Sequence, residues 1–182
     1  MQQEVIIAGF GGQGVLFAGK LLAYTGLEVD KAVTWIPSYG PEMRGGTANC
    51  TVVISDEEIG SPFVKNPTAV IAMNLPSLEK FEDRVAPGGV LVVNASMVDR
   101  PVKRDDITVI SIPANEIAEE IGSSRYVNMV VVGALLGSLD LLPLDAVETS
   151  LEAHMPERHK KFLKGNIEAL RQGAAFREAE KV

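Results

Sequence analysis

The strongest constraint on the fold lies at the start of the chain. Residues 4–8 hold three consecutive β-branched apolar side chains, Val5, Ile6 and Ile7, and Gly9-Phe10-Gly11-Gly12-Gln13-Gly14 follows at once. An uninterrupted apolar run of this length suits a strand buried on both faces. Residues 15–27 then place Val15, Ala18, Leu22 and Ala23 near one helical face, and Gly26 reads as the helix end. Strand, glycine turn and helix make the first half of a βαβ unit. A chain that opens this way is committed to a sheet with helices packed on its faces.

The remaining segments continue the alternation. Residues 31–36 read as a second strand stopped by Pro37, and residues 47–55 alternate Thr and Val as a third. The connection between them is only about ten residues, too short for a crossover helix, so an antiparallel strand is expected in the sheet. Further strands are expected at 68–73, 90–93 and 107–112, with helices at 76–85, 115–121, 126–139, 145–155 and 158–172. Asn115 reads as the cap of the short helix, and Asp145 with Glu148 has capping-box spacing. The segment 126–139 is apolar nearly all round, the mark of a buried helix. The expected fold class is α/β: a three-layer α/β/α, Rossmann-like, mostly parallel sheet with at least one antiparallel strand. Residues 1–182 are read as a single domain.

Composition removes several functions. With 17 Lys and Arg against 24 Asp and Glu the net charge is −7, the wrong sign for a nucleic-acid binder. Cys50 is the lone cysteine, so the chain by itself can form no internal disulfide, Cys₄ zinc site or Cys₄ iron–sulfur cluster. His154 and His159 are five apart, not the four that puts two ligands on one helical face, and read as surface residues; no metal site is expected. The longest apolar run, 129–139, is too short to span a bilayer, and the first residues lack signal-peptide character, so no membrane association and a cytoplasmic protein are expected.

Three motifs remain as carriers of function. Gly9, Gly11 and Gly14 satisfy G-x-G-x-x-G between a strand and a helix, where backbone N–H groups can meet a phosphate at a helix N-terminus. Gly12 and Gln13 complete this candidate cofactor-binding turn. Against a dinucleotide stands the missing acid at the end of the second strand. Asp30 precedes that strand, and Trp35, Ile36 and Pro37 end it. Gln13 is also large for the mouth of a phosphate loop. A tight βα turn that needs glycine only for close helix packing therefore stays open as the alternative, as does another anionic ligand.

The second motif sets Glu42 and Arg44 two apart in a glycine-flanked turn with Gly45 and Gly46. Arg presents a planar fork for a carboxylate, phosphate or carbonyl, so these four residues are an interface or anion-binding candidate; a Glu42–Arg44 pair that steadies a loop is the plainer reading. In the third, Asn74 follows a strand and opens a helix, where ligands collect in open α/β sheets; it is a candidate ligand contact or simply a helix cap. Asn94 ends the next strand in the same way, so the two edges are expected to share one cleft. Cys50, within a strand, reads as structural rather than nucleophilic. No catalytic residue is assigned.

AGFGGQGV, IPSYGPEMRGGTANCTVVIS and AMNLPSLEKF together resemble the gamma subunit of the 2-oxoacid:ferredoxin oxidoreductases. Asn166, Ala169 and Gly173 echo an N-x-x-A-x-x-x-G pattern of the same family. Pro41-Glu42 followed by GGTANC is most similar to the 2-oxoglutarate branch. The resemblance implies a role in converting a 2-oxoacid and coenzyme A to acyl-CoA and CO₂ with reduction of ferredoxin. It implies that thiamine diphosphate, magnesium and the iron–sulfur clusters sit on alpha, beta and delta-type partner subunits, because this chain has neither four cysteines nor a Gly-Asp-Gly segment. More weakly, it implies a coenzyme A-side role for the glycine turn. Ferredoxin would be met through the complex, and an isolated chain is expected to be able to form a homodimer. Two rivals remain: a stand-alone Rossmann-type nucleotide-binding oxidoreductase, and a regulatory module for a coenzyme A-like anion.

Overall fold

A computed structural model describes residues 1–39 and 46–176. Its sheet has six strands in the order β2-β3-β1-β4-β5-β6. These are β1 (Gln2–Phe10), β2 (Ala32–Tyr39), β3 (Thr47–Ser55), β4 (Ala69–Ala72), β5 (Val90–Asn94) and β6 (Thr108–Ile112). β3 runs antiparallel to both neighbours, from Gln2 opposite Ser55 to Phe10 opposite Thr47 on one side and from Ala32 opposite Ser55 on the other. The pairs β1–β4, β4–β5 and β5–β6 are parallel. The expected mixed, mostly parallel sheet is therefore present.

Consecutive side chains of β1 feed opposite layers, as a strand's period of two requires. Val5 and Ile7 join α1 (Val15–Glu28), α4 (Val127–Ser138), α5 (Leu144–His154) and α6 (Leu163–Ala175) in the larger core. Ile6 and Ala8 meet Leu78 and Phe81 of α2 (Leu75–Phe81) in the smaller one. α3 (Ala114–Ile121) lies on the side of the larger core through Ala114 and Ala118. The result is three layers.

Several local expectations are corrected. Gly26 does not end α1, which runs on to Glu28; the turn that follows is made by Asp30, at φ 58°. Gly26 and Gly19 instead share a face two turns apart. A Cβ on Gly19 would stand 2.3 Å from Cys50 Sγ, and one on Gly26 would stand 2.7 Å from Val33 Cγ2. Both glycines let α1 sit directly on the β2–β3 hairpin. Pro37 does not stop β2, which continues to Tyr39. β2 is an edge strand, paired on one side only, and an edge is where a proline's missing N–H can be tolerated.

The caps also differ. Pro113 precedes α3 as its N-cap, leaving Asn115 in the first turn with its carbonyl turned to Asn94. Pro143 precedes α5, and Glu148 is spent on Arg171 rather than on a capping box. The segment expected as one helix over 76–85 becomes a 3₁₀ turn after Phe81, and that over 158–172 is a 3₁₀ stretch before α6. Asn74 does cap α2, its Oδ1 accepting from Ser77 N at 2.9 Å.

α4 is buried from Val127 to Leu135 and meets α6 along a seam of small residues. Cβ atoms placed on Gly133 and Gly173 would lie 2.1 Å from Leu170 O and 2.0 Å from Val130 O. The Asn166, Ala169 and Gly173 pattern thus has a packing origin: all three face this seam or its mouth and are buried.

The smaller core is closed by residues 95–107, and a buried carboxylate holds them. Glu82 is 3% exposed. It accepts from Arg100 Nη2 at 2.7 Å and from the Lys103 N–H, while Arg104 donates to the carbonyls of Glu82 and Val85. Burial works against the charge of Glu82, but the Arg100 and Lys103 hydrogen bonds outweigh it and hold its pKa below the ordinary 4.5. A carboxyl with a depressed folded pKa stabilises the fold fully above the unfolded value and loses that contribution as the pH falls through the folded one. Denaturant titration should therefore show stability declining below pH 4.5, and less so in Glu82→Ala. At neutral pH that substitution should cost on the order of 3 kcal/mol, the low end for a broken buried pair because Arg100 retains some access to water.

Candidate functional site

The parallel strands β1, β4, β5 and β6 all end at one edge of the sheet. From there β1 leads to α1 in the larger layer, whereas β4 leads to α2 in the smaller one. The crevice between these two strand ends is the switch point at which open α/β sheets bind ligands. The candidate residues Gly9, Gly11, Gly12, Gln13, Gly14 and Asn74 gather here. Gly46 joins them, its carbonyl accepting from Gly11 N at 2.8 Å. Glu42, Arg44 and Gly45 lie outside the described residues.

The turn is closed on itself. Gln13 Oε1 accepts from Phe10 N at 2.6 Å and from Asn74 Nδ2 at 3.2 Å, bridging the ends of β1 and β4. Gln13 N donates to Phe10 O at 3.2 Å. A Cβ on Gly9 would stand 2.6 Å from Gln13 Oε1, so the first glycine exists to admit that carboxamide. Gly12 and Gly14 take positive φ values of 95° and 75°, conformations open to glycine at little cost. Gly14 also abuts Asn128, whose Nδ2 donates to Gly14 O at 3.3 Å while its Oδ1 accepts from Met129 N at 3.0 Å. No acidic residue occupies the first turn of α1.

The remaining polar groups at this edge form a second network. Asn94 Nδ2 donates to Asn115 Oδ1 at 3.0 Å and to Met73 O at 3.4 Å, so the ends of β4, β5 and β6 do meet. Asn115 N donates to Ser96 Oγ at 3.1 Å, and the Ser96 hydroxyl in turn donates to Glu116. That hydroxyl holds the Glu116 carboxyl below its ordinary pKa.

Of the cavities that open beside the turn, two share Gly14, Arg125 and Asn128. One, of about 310 Å³, extends toward Phe162 and Asn166; the other, of about 340 Å³, extends toward Met73 and Asn115. Arg125 lies against the Phe162 ring, 4.8 Å from its centroid, and among the described residues no carboxylate pairs with it. An unpaired guanidinium beside a glycine turn and a helix N-terminus makes this edge attractive to an anion. Sequence reasoning missed Arg125 and Asn128. Asn128 left a signal, as the polar residue opening an apolar helix. Arg125 left none, since its place in the cleft depends on helices distant in the chain.

The dinucleotide reading fares worse. β3 stands between β1 and β2, so the end of the second strand is two strand spacings, about 10 Å, from the glycine turn. Asp30 sits past the far end of the 14-residue α1, about 20 Å from the turn.

Comparison with known proteins places this architecture. Residues 4–176 match the family described as pyruvate ferredoxin/flavodoxin oxidoreductase. The chain belongs to that family. It is 38% identical to the 2-oxoglutarate synthase subunit KorC of Methanothermobacter marburgensis over 86% of this chain and 88% of KorC. It is 43% identical to the ketoisovalerate oxidoreductase subunit VorA of the same organism, over 78% of this chain. That match spans only 29% of VorA. Among solved structures, a keto/oxoacid ferredoxin oxidoreductase gamma subunit from Geobacter sulfurreducens superposes with a TM-score of 0.81. It is 25% identical and covers 94% of this chain and 96% of its own.

In this family member the lone thiol is structural. Cys50 is fully buried, with Sγ 3.5 Å from Val15 O and packed against Gly19 and Trp35. Burial pushes its pKa up to about 12. The thiolate, which is the nucleophile and metal ligand, is therefore absent near neutrality. Native protein should leave Ellman's reagent uncoloured at pH 8 and release one thiol equivalent only after denaturation. Release at the rate of a free thiol from the native fold would contradict this burial.

Proposed function

We propose that this chain is the gamma subunit of a 2-oxoacid:ferredoxin oxidoreductase, with 2-oxoglutarate as the preferred 2-oxoacid. In that reading it is a non-catalytic, shape-giving subunit that closes the complex and contributes to the coenzyme A side. The observation that carries it is family membership across residues 4–176, joined to a match with a 2-oxoglutarate synthase subunit over 86% of this chain and 88% of that subunit. The sequence GPEMRGGTANC supports the same branch.

The chemistry of the chain supports a division of labour. An iron–sulfur cluster needs about four thiolates, and this sequence offers one cysteine, whose thiol burial pushes up to about 12. Thiamine diphosphate held through magnesium needs acidic and diphosphate-facing groups in a loop, whereas the strand ends here carry the carboxamides of Gln13, Asn74, Asn94 and Asn115, and the Glu116 carboxylate beside them is already bonded to Ser96. The residues do not fit either group, and no step is derived through them. Alpha, beta and delta-type chains would hold both, and ferredoxin would be met through them. For coenzyme A the supporting features are the glycine turn and Arg125, which no carboxylate among the described residues pairs, at the shared wall of two cavities. A second reading, a branched-chain 2-oxoacid such as ketoisovalerate, draws on the 43% identity to VorA.

Affinity capture of the tagged chain from its host should recover thiamine- and cluster-bearing chains, and the assembled complex should reduce a dye fastest with 2-oxoglutarate. The purified chain alone should reduce none. Faster turnover of ketoisovalerate would transfer the subtype to the second reading, and recovery as a solitary protein would overturn the assembly. Arg125→Gln in the complex should raise the KM for coenzyme A roughly tenfold, the worth of one charge-assisted hydrogen bond, with the KM for the 2-oxoacid unchanged.

A further inference from the structure

We infer that three exposed cations, Arg158, Lys161 and Lys164, form a docking surface for a carboxylate-bearing segment of a partner polypeptide. Their spacing of three sets them in one row. Arg158 and Lys161 lie in the 3₁₀ stretch Glu157–Phe162, where residues i and i+3 eclipse. Lys164 follows in the first turn of α6 and neighbours Lys161 on the helix surface. Such a row is unfavourable in the chain taken by itself. Like charges at this spacing repel, and a cation at the start of α6 meets the positive end of the helix dipole, with no acidic residue in that turn. Among the described residues no carboxylate pairs with any of the three. Glu157 is held by Lys160 at 2.7 Å, and Glu168, one turn beyond Lys164, accepts from Gln172 at 2.8 Å. A chain with 24 Asp and Glu and a net charge of −7 thus leaves this row unneutralised.

The shape of the row chooses its occupant. Successive cations stand about 6 Å apart along the 3₁₀ stretch, the separation of carboxylates four residues apart on a helix. No enclosure accompanies them: the cavities beside Arg125 take His159 and Phe162 into their walls but none of the three. A small phosphate would therefore meet only open, hydrated cations. A nucleic-acid strand would carry its charge past the row onto a chain of net charge −7. A polypeptide that presents a few carboxylates in line meets neither objection. The row is also kept in place by packing, since Lys161 lies over the Phe162 ring at 5.1 Å and that ring is edge-on to the buried Tyr126. This surface is separate from the coenzyme A side, and the inference holds for the isolated chain.

The full-length chain can be titrated at low ionic strength into a fluorescein-labelled peptide of Ala and Gln with Glu at every fourth position, followed by anisotropy. Wild type should bind it, and added salt should weaken the binding. Changing Arg158, Lys161 and Lys164 together to Gln should raise the Kd roughly tenfold, the combined worth of three exposed ion pairs. Lys160→Gln, whose cation is already paired with Glu157, should leave the Kd within about twofold. No binding by wild type, an unchanged Kd in the triple variant or an equal loss in Lys160→Gln would overturn the proposal. Tighter binding of oligothymidylate or inorganic phosphate than of the peptide, lost in the triple variant, would transfer the row to phosphate and overturn it too. In a recovered complex, zero-length carbodiimide coupling should join Lys161 or Lys164 to a carboxylate of another chain. Coupling of these lysines only within their own chain would count against the docking surface, whereas failure to recover any complex would sink the assembly reading and leave the titration to decide.

Discussion

The placement of β3 between β1 and β2 governs the rest of this structure. An antiparallel strand in that position carries the second strand away from the glycine turn and brings Gly46 against Gly11 in its stead. It also sets Cys50 and Val52 beneath α1, which can sit that close because Gly19 carries no side chain. The same insertion deprives a dinucleotide of its ribose contact, since no acid from the second strand can reach the turn. Topology, rather than any single residue, decides what this edge of the sheet can bind.

Polar groups at that edge are mostly spent on each other. Gln13, Asn74, Asn94 and Asn115 tie the strand ends together through their carboxamides, and at the buried Asn74 and Asn94 an unmade bond would be costly. This order is expensive in sequence choice and explains why asparagine and glutamine, which donate and accept at once, recur at successive strand ends. Among the described residues, what remains unspent is Arg125 and the open side of the turn. The lone thiol is likewise withdrawn: Cys50 is fully buried, and burial keeps it protonated near neutrality.

Closeness of backbones is the second theme. Two helix contacts depend on glycine: α1 on the hairpin through Gly19 and Gly26, and α4 against α6 through Gly133 and Gly173. In each, an added methyl group would meet backbone or a packed side chain within 3 Å. The spacing of such glycines in a sequence looks like punctuation, and Gly26 reads as a helix end for that reason. Only the neighbouring strand reveals that it is a contact.

The sequence by itself determined the alternation of strands and helices, the buried β1, the antiparallel third strand, the Asn74 cap, the buried α4 and the structural character of Cys50. These follow from local rules: period, propensity, loop length and the count of one cysteine. It also carried the family resemblance through GGQG and PEMRGG. Tertiary structure alone decided that Pro37 lies within an edge strand, that Asn115 and Glu148 serve distant partners instead of their own helix ends, and that Gln13 ties its turn to Asn74. It alone brought Arg125, Asn128 and Gly14 to one wall. The physical reason is the same in every case: a hydrogen-bond donor or a missing side chain acquires its meaning from whatever atom stands opposite, and that atom comes from elsewhere in the chain.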